Sequence, residues 1–146
     1  MKKVYIKISI MILIFIVVFT ASAYCGFIYI TPVSVVKLGD NPSVLFSLNK
    51  FDMVISVNSS DENIDYLVSN LNLKHKRISK SVDITIAKLN ESGLILINDL
   101  NSDYLKVSNS NKNKEKQLMQ LIQENVKNSL NEIEINNKLE ASVEIN

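Results

Sequence analysis

From the N-terminus to Val57, the pattern changes from one long apolar run to short apolar stretches separated by turns. No charged residue occurs from Ile8 to Ile30. About 23 residues at roughly 1.5 Å each give a helix of about 34 Å, which is long enough to cross a bilayer. Stretches rich in β-branched and apolar residues then predict three strands, at Val33–Leu38, Val44–Leu48 and Phe51–Val57. The turn residues of Gly39–Pro42 and Asn49–Lys50 separate these strands, which predicts an antiparallel meander.

Beyond Val57, apolar residues recur three and four positions apart, which is typical of amphipathic helices. We expect three such helices, at Glu62–Leu71, Ser79–Leu89 and Glu115–Ile133. Asp61 is suited to cap the first helix, and Ser79 or Ser81 to cap the second. Gly93 should end the second helix, because glycine accepts the left-handed conformation that often follows a last helical turn.

The rest of the pattern predicts an α+β fold. We expect strands at Leu94–Ile97 and Leu139–Ile145, a polar loop at Asn98–Asn113, and a break in the last helix at Asn136–Asn137. Within the third strand, alternation predicts one shared face for Phe51, Met53, Ile55 and Val57. Strands and helices are partly segregated along the chain, which predicts a transmembrane helix followed by a small domain with a mainly antiparallel sheet and about three helices.

The N-terminal run has two interpretations. Lys2, Lys3 and Lys7 precede it, so a retained anchor would place residues 1–7 in the cytoplasm, residues 8–30 in the membrane and residues 31–146 outside the cell. Alternatively, Ala21–Ala23 matches the small-residue cleavage pattern of a signal peptide, which would leave a small secreted protein beginning at Tyr24. We favour the retained anchor because apolar character continues to Ile30.

Composition excludes several classes of function. The 16 basic and 15 acidic residues nearly balance, so we expect no nucleic-acid partner. His75 is the only histidine and Cys25, in the apolar run, is the only cysteine, which leaves no zinc-binding set. The sequence also has no glycine-rich phosphate loop and no nucleophile elbow. We therefore expect no metal, no cofactor and no conventional enzyme.

The dipeptide Asn41–Pro42 supports two hypotheses. Asparagine and proline often begin turns, so the pair is explained by local geometry alone. It is also suited to self-cleavage, because Pro42 has no N–H that could attack the Asn41 side chain. The Asn41 amide nitrogen can instead attack its own main-chain carbonyl, which forms a succinimide and expels the Pro42 nitrogen. Asp40 and Ser43 are then candidates for moving protons or holding the carbonyl.

The segment around this dipeptide resembles the region after the membrane helix in the RsgI-type anti-sigma-I factors of Gram-positive bacteria. The resemblance rests on Asn41–Ser43, which reads Asn-Pro-Ser, on Asn49–Asp52, which reads Asn-Lys-Phe-Asp, and on Val54–Val57. Later pieces at Leu73–Lys76, Ser79–Leu89 and Gly93–Ile97 also fit. Together they extend the resemblance over roughly Tyr29 to Ile145.

The resemblance implies an extracytoplasmic module in transmembrane signalling. In this family the middle domain cleaves itself at Asn-Pro and the halves stay bound. Their separation exposes the anchor to intramembrane proteolysis, which releases a sigma factor. For this chain, the resemblance implies that Asn41 is the nucleophile and that Pro42 is the leaving residue.

Two departures from the family pattern modify this expectation. Met1–Lys7 is too short to fold into the family's cytoplasmic domain, so we expect no sigma-factor binding by this chain. Family members usually carry Asp two positions before the Asn, where this chain has Gly39, with Asp40 adjacent instead. Membrane lipid and a protein in the membrane or envelope are the expected partners. The alternative function is a non-cleaving envelope interaction module, which docks through its sheet edge or through Glu115–Ile133.

Overall fold

The structure, a computed structural model, describes residues 2–94 and 104–143, with side chains over 4–94 and 104–136. The chain divides into two compact units, Met1–Thr31 and Pro32–Asn146. The first unit is the helix α1, Lys2–Ile30. Its segment Val4–Ile30 is long and apolar enough to cross a membrane, a property that signal sequences share. The expected boundaries at residues 7 and 30 stay predictions.

The second unit contains an antiparallel sheet of four strands. These are β1, Ser34–Leu38; β2, Val44–Leu48; β3, Val54–Ser59; and β4, Leu105–Asn109. Their order across the sheet is β3-β2-β1-β4. Ser34 pairs with both Leu48 and Asn109 at one end of β1, and Leu38 pairs with both Val44 and Leu105 at the other. We call these the entry end and the loop end of the sheet, because the chain enters β1 at Ser34 and leaves it for a loop at Leu38.

Three helices cover one face of this sheet. They are α2, Glu62–Asn70; α3, Ile78–Glu91; and α4, Lys112–Val143. Alternate strand residues such as Val36, Phe46 and Leu105 are buried with the apolar stripes of the helices in a single core. The neighbouring Val35 faces away from the core and is 38% exposed. The predicted α+β class, with an apolar N-terminal helix, an antiparallel sheet and three further helices, is confirmed.

Two of the predicted helix boundaries are confirmed, and one predicted cap is wrong. The Asp61 carboxylate accepts hydrogen bonds from the backbone N–H groups of Asn63 and Ile64 at the start of α2. Gly93 has a φ of 68° just after α3. That helix begins at Ile78 with Arg77 as its N-cap and no side-chain cap. Ser81 lies buried inside α3 and donates to the carbonyl of Arg77 instead.

The C-terminal third differs from the prediction. The expected polar loop contains β4, whose buried Leu105 and Val107 pair with β1. Helix α4 runs through Asn136–Asn137 and reaches Val143, so the predicted break and most of the predicted last strand are wrong. Alternation of Leu139, Ala141 and Val143 fits a strand, but leucine and alanine are also strong helix formers. Residues 95–97 of the other predicted strand lie outside the described residues.

The third strand begins later than predicted and presents other residues to the core. A register shift occurs where Ser47 pairs with Ser56 and Leu48 pairs with Val54, which leaves Ile55 as an extra residue in β3. Such a bulge reverses the alternation of faces along a strand. Val54 is therefore buried and Val57 packs against the core, whereas Phe51 is 56% exposed in the preceding turn.

Candidate functional site

The dipeptide Asn41–Pro42 lies in the β1–β2 loop, Gly39–Ser43, at the loop end of the sheet. Strands β1 and β2 pair in register from Ser34↔Leu48 to Leu38↔Val44, so the loop connects adjacent antiparallel strands. A five-residue strand at roughly 3.3 Å per residue places it about 17 Å from the entry end. The loop is therefore at the end of the sheet opposite to the point where the chain enters β1.

Gly39 fixes the first side of the loop. Its N–H donates to the carbonyl of Tyr104 at 2.7 Å, which extends the β1–β4 pairing by one residue. Its φ is 81°, a left-handed conformation that glycine adopts without a steric penalty. Burial raises the pKa of the Tyr104 hydroxyl. The chain leaves β1 in a defined direction because Gly39 combines this bond with this conformation.

Ser43 fixes the second side of the loop through two serines at the end of β3. The Ser43 N–H donates to the Ser60 hydroxyl at 3.0 Å. The Ser43 carbonyl accepts from the Ser59 hydroxyl at 2.9 Å and from the Ser60 N–H at 3.1 Å. Ser43 is 4% exposed. The residue after Pro42 is consequently buried and held by main-chain and side-chain bonds at once.

Between these fixed points, the dipeptide itself faces solvent. Asn41 and Asp40 are exposed and Pro42 is half-buried. The Asn41–Pro42 peptide bond is cis. The Asp40 carboxylate lies 3.4 Å from the Lys37 ammonium, on the Asp40 side of the loop. Among the described residues, none forms a hydrogen bond with the Asn41 side chain, so its amide nitrogen is open to approach the adjacent carbonyl.

The structure thus brings the four predicted residues into one loop, and it adds three that the sequence did not indicate. Asp40, Asn41, Pro42 and Ser43 are consecutive, so their proximity follows from the sequence. The hydrogen bonds that Ser59, Ser60 and Tyr104 form with this loop do not follow from the sequence. Asn58–Asp61 has the composition of an ordinary turn, and Tyr104 falls in a stretch that the polarity pattern assigns to a loop.

Strand β1 carries the N-terminal side of the loop into the middle of the sheet. It forms five residue pairs with β2 and five with β4. Its inward side chains Val36 and Leu38 are fully buried. Every other strand and every covering helix follows Pro42 in the sequence. The residues before and after the dipeptide therefore share one sheet and one core.

These features agree with what a comparison with known families finds. The family model described as the anti-sigma factor RsgI-like central domain matches residues 33–146. The chain belongs to this family. The match covers the whole sheet and the helices α2, α3 and α4 of the RsgI-like domain. No curated protein and no solved structure matches the chain.

Membership in the RsgI-like family identifies the general module, the central domain of RsgI-like anti-sigma factors, and at most suggests proteins as partners. The expectation of the anti-sigma middle domain, made from the Asn-Pro-Ser and Asn-Lys-Phe-Asp segments, is confirmed. Self-cleavage, the roles of single loop residues and the membrane topology remain predictions.

Proposed function

We propose that this chain is a single-pass membrane protein whose RsgI-like domain lies outside the cell and cleaves itself once, at Asn41–Pro42. The two parts then remain together until a signal separates them. The observation that carries the proposal is the position of the dipeptide between two paired strands, both of which are interior strands of the sheet. A cut there removes no residue pair from the sheet.

The cleavage step is a cyclisation. The Asn41 side-chain nitrogen forms a bond to the Asn41 main-chain carbonyl carbon, and the bond from that carbon to the Pro42 nitrogen breaks. The proton lost from the amide is transferred to the Pro42 nitrogen. The N-terminal part then ends in a succinimide, and its mass plus that of the C-terminal part equals the intact mass until water opens the ring. The bonds at Gly39 and Ser43 support this step, because they hold both sides of the loop and so limit the positions that the two reacting groups can adopt.

Within this proposal, Asp40 and Ser43 have different roles beside Asn41. Asp40 precedes Asn41 in the exposed loop, and its carboxylate is the group proposed to accept a proton from the attacking amide. Ser43 is a positioning residue, because its bonds to Ser59 and Ser60 hold the leaving side of the scissile bond. Because Ser59 and Ser60 also follow Pro42, the same bonds hold the new N-terminus of residues 42–146 in place after the bond is broken.

Substitution at Asn41 tests the cleavage. Wild-type protein incubated after purification should give fragments of 41 and 105 residues on a denaturing gel, from the 146-residue chain. Asn41→Ala should stay intact because it lacks the amide. Asn41→Gln keeps an amide but would require a six-membered ring, and should be cleaved much more slowly. Wild type that stays intact as long as Asn41→Ala would refute self-cleavage.

The membrane anchor in this proposal is α1, with Lys2, Lys3 and Lys7 on the cytoplasmic side. The support is the apolar length of Val4–Ile30 and the basic residues that precede it. Protein from native membranes should resist extraction with alkaline carbonate and retain Met1. A mature N-terminus at Tyr24 would instead indicate a cleaved signal peptide and a secreted domain.

A non-cleaving interaction module is the second candidate, and one observation favours it. An open groove of about 500 Å³ lies between α3 and α4, with Ile84 and Ala87 on one side and Ile133 on the other. Its polar rim includes Asp83, which accepts a hydrogen bond from Ser129 at 2.9 Å. This combination suits a protein partner. An intact Asn41–Pro42 bond in the mature protein would favour this candidate over the first.

A further inference from the structure

Charges in the RsgI-like domain are separated along the strand axis. At the entry end, basic residues come from the β2–β3 turn, the α2–α3 connection and the start of α4: Lys50, Lys74, Lys76, Arg77, Lys112 and Lys114. At the loop end, acidic residues predominate: Asp40, Asp61, Glu62 and Asp65. The overall charge of +1 hides this separation.

Contacts in the structure bring the basic segments together around the β2–β3 turn. Met53 and Arg77 form an antiparallel backbone β-bridge, and the Ile78 N–H donates to the Asp52 carbonyl at 3.0 Å. The Lys114 ammonium lies 2.6 Å from the Asp52 carboxylate. Lys112 pairs with Glu115 at 3.1 Å. Each of these two carboxylates offsets the charge of one lysine, so the positive charge of the entry end comes from Lys50, Lys74, Lys76 and Arg77.

An exposed aromatic side chain lies within this basic surface. Phe51 is 56% exposed at the tip of the turn. The Asn49 side chain accepts hydrogen bonds from the N–H groups of Phe51 at 2.9 Å and Met53 at 3.1 Å, which fixes the turn. An exposed aromatic ring surrounded by lysine and arginine is the composition of surfaces that bind anionic lipid.

The connection between α1 and β1 is short, which limits how far the start of β1 can lie from the bilayer. Only Thr31, Pro32 and Val33 connect Ile30 to Ser34. Four steps between Cα atoms span at most roughly 14 Å. If α1 is retained as the anchor, this connection keeps the start of β1 within that distance of the lipid headgroups. The inference that follows rests on the proposed anchoring.

We propose that the entry end of the RsgI-like domain docks on an anionic lipid bilayer. Phe51 lies at the lipid interface, and the basic residues of the β2–β3 turn and the α2–α3 connection contact headgroup phosphates. This docking directs the loop end, with Asn41–Pro42, away from the membrane. The dipeptide is then accessible to partners outside the cell.

A single tryptophan tests this docking, because the chain contains none. Phe51→Trp is introduced into the full chain, which is reconstituted in liposomes of phosphatidylcholine with or without phosphatidylglycerol, and quenching by brominated lipid is measured. Tyr66→Trp is the matched control, since Tyr66 is 75% exposed on α2. The indole of the Phe51→Trp variant should be quenched and blue-shifted in the anionic liposomes only, and the indole of the control should not. Equal quenching in both variants, or quenching of the Phe51→Trp variant that ignores lipid charge, would overturn the proposal.

Charge variants provide the second arm of the test. Lys74→Gln with Arg77→Gln removes two cations from the entry end. It should lower the ratio of docked to free domain roughly fivefold per residue, the factor that corresponds to about 1 kcal/mol per basic residue at an anionic surface. Lys106→Gln with Lys127→Gln removes two exposed cations elsewhere and should leave the ratio unchanged. Equal effects from both pairs would contradict docking through the entry end.

Alkaline carbonate extraction of the same liposomes separates failure of docking from failure of the anchor. A Phe51→Trp chain that resists extraction while its tryptophan remains unquenched refutes docking alone. A chain that is extracted refutes the anchor and, with it, the docking that depends on the anchor. The Asn41 variants on a denaturing gel report cleavage independently of either result.

Discussion

Gly39 shows how one residue outside the reacting dipeptide shapes the loop. Its left-handed φ of 81° turns the chain out of β1, and its N–H bonds to Tyr104. This conformation disfavours most side chains other than glycine. Gly39 therefore has a structural role in the loop.

Replacement of Gly39 should destabilise the domain through the backbone. Gly39→Ala places a Cβ in the left-handed region, which costs about 1 kcal/mol. Gly39→Asn should cost less, because asparagine tolerates this region better. The measurement is the midpoint of denaturant unfolding for both variants beside wild type. Equal stability of Gly39→Ala and wild type would show that the positive φ is not required.

At this scale the sequence predicted the turn at Asn41–Pro42 and did not indicate the bonds that hold it. Asn41–Pro42 and the Asp61 cap follow from local chemistry, which is visible in neighbouring residues. The bonds between Ser43 and Ser60 join residues 17 positions apart. They depend on the pairing of β2 with β3, so no local pattern could indicate them.

Among the elements, β4 and α4 show where local pattern fails. Helices α2 and α3 were predicted because several turns repeat the same apolar spacing. Strand β4 has only five residues between polar neighbours, and it forms because it pairs with the side of β1 that β2 does not occupy. Helix α4 continues through Asn136–Asn137 because two residues of modest helix propensity cannot end a helix of 32 residues.

The junction between β4 and α4 is joined by Glu115. Its carboxylate accepts from the Asn109 N–H at 3.2 Å and from the Lys112 ammonium at 3.1 Å. The backbone bond from Asn109, followed by the bond from Lys112, lowers the pKa of Glu115 below its ordinary value of 4.5. Because the pKa is lower in the folded state, the ionised carboxylate stabilises the fold above pH 4.5, and this contribution disappears as the pH falls through the lowered value.

This junction predicts a pH-dependent stability difference. Glu115→Gln should lower the melting temperature at neutral pH, and the difference from wild type should shrink as the pH falls below 4.5. Glu124→Gln, at an exposed position on the same helix, is the control and should show a small difference throughout. A Glu115→Gln difference that is constant between neutral and acidic pH would contradict the assigned bonds.

For the whole molecule, the central feature is an interior strand that the chain contributes before the Asn-Pro loop. β1 lies between β2 and β4, while both neighbours and all the covering helices come after Pro42. A domain cut in the loop would hold its first part through two antiparallel ladders and two fully buried side chains. Force or a binding partner that withdraws β1 would also open the core.

Adjacent valines in β1 test how the parts are held. Val36 is fully buried and Val35 is 38% exposed on the opposite face. In the cleaved protein, Val36→Ala should weaken retention by on the order of 2 kcal/mol through lost burial and a cavity. Val35→Ala should change it little. The measurement is the rate at which residues 42–146 leave N-terminally tagged protein on resin in mild detergent, and equal rates would contradict retention through the core.

The most direct test compares the mass of the wild-type chain under native and denaturing conditions. We expect one species of the full mass in the native measurement. Denaturation should release two fragments, split after Asn41, whose masses add up to the intact chain or exceed it by one water. If the wild-type chain, after a long incubation, is still a single intact species under denaturing conditions, as Asn41→Ala is expected to be, that result would contradict self-cleavage.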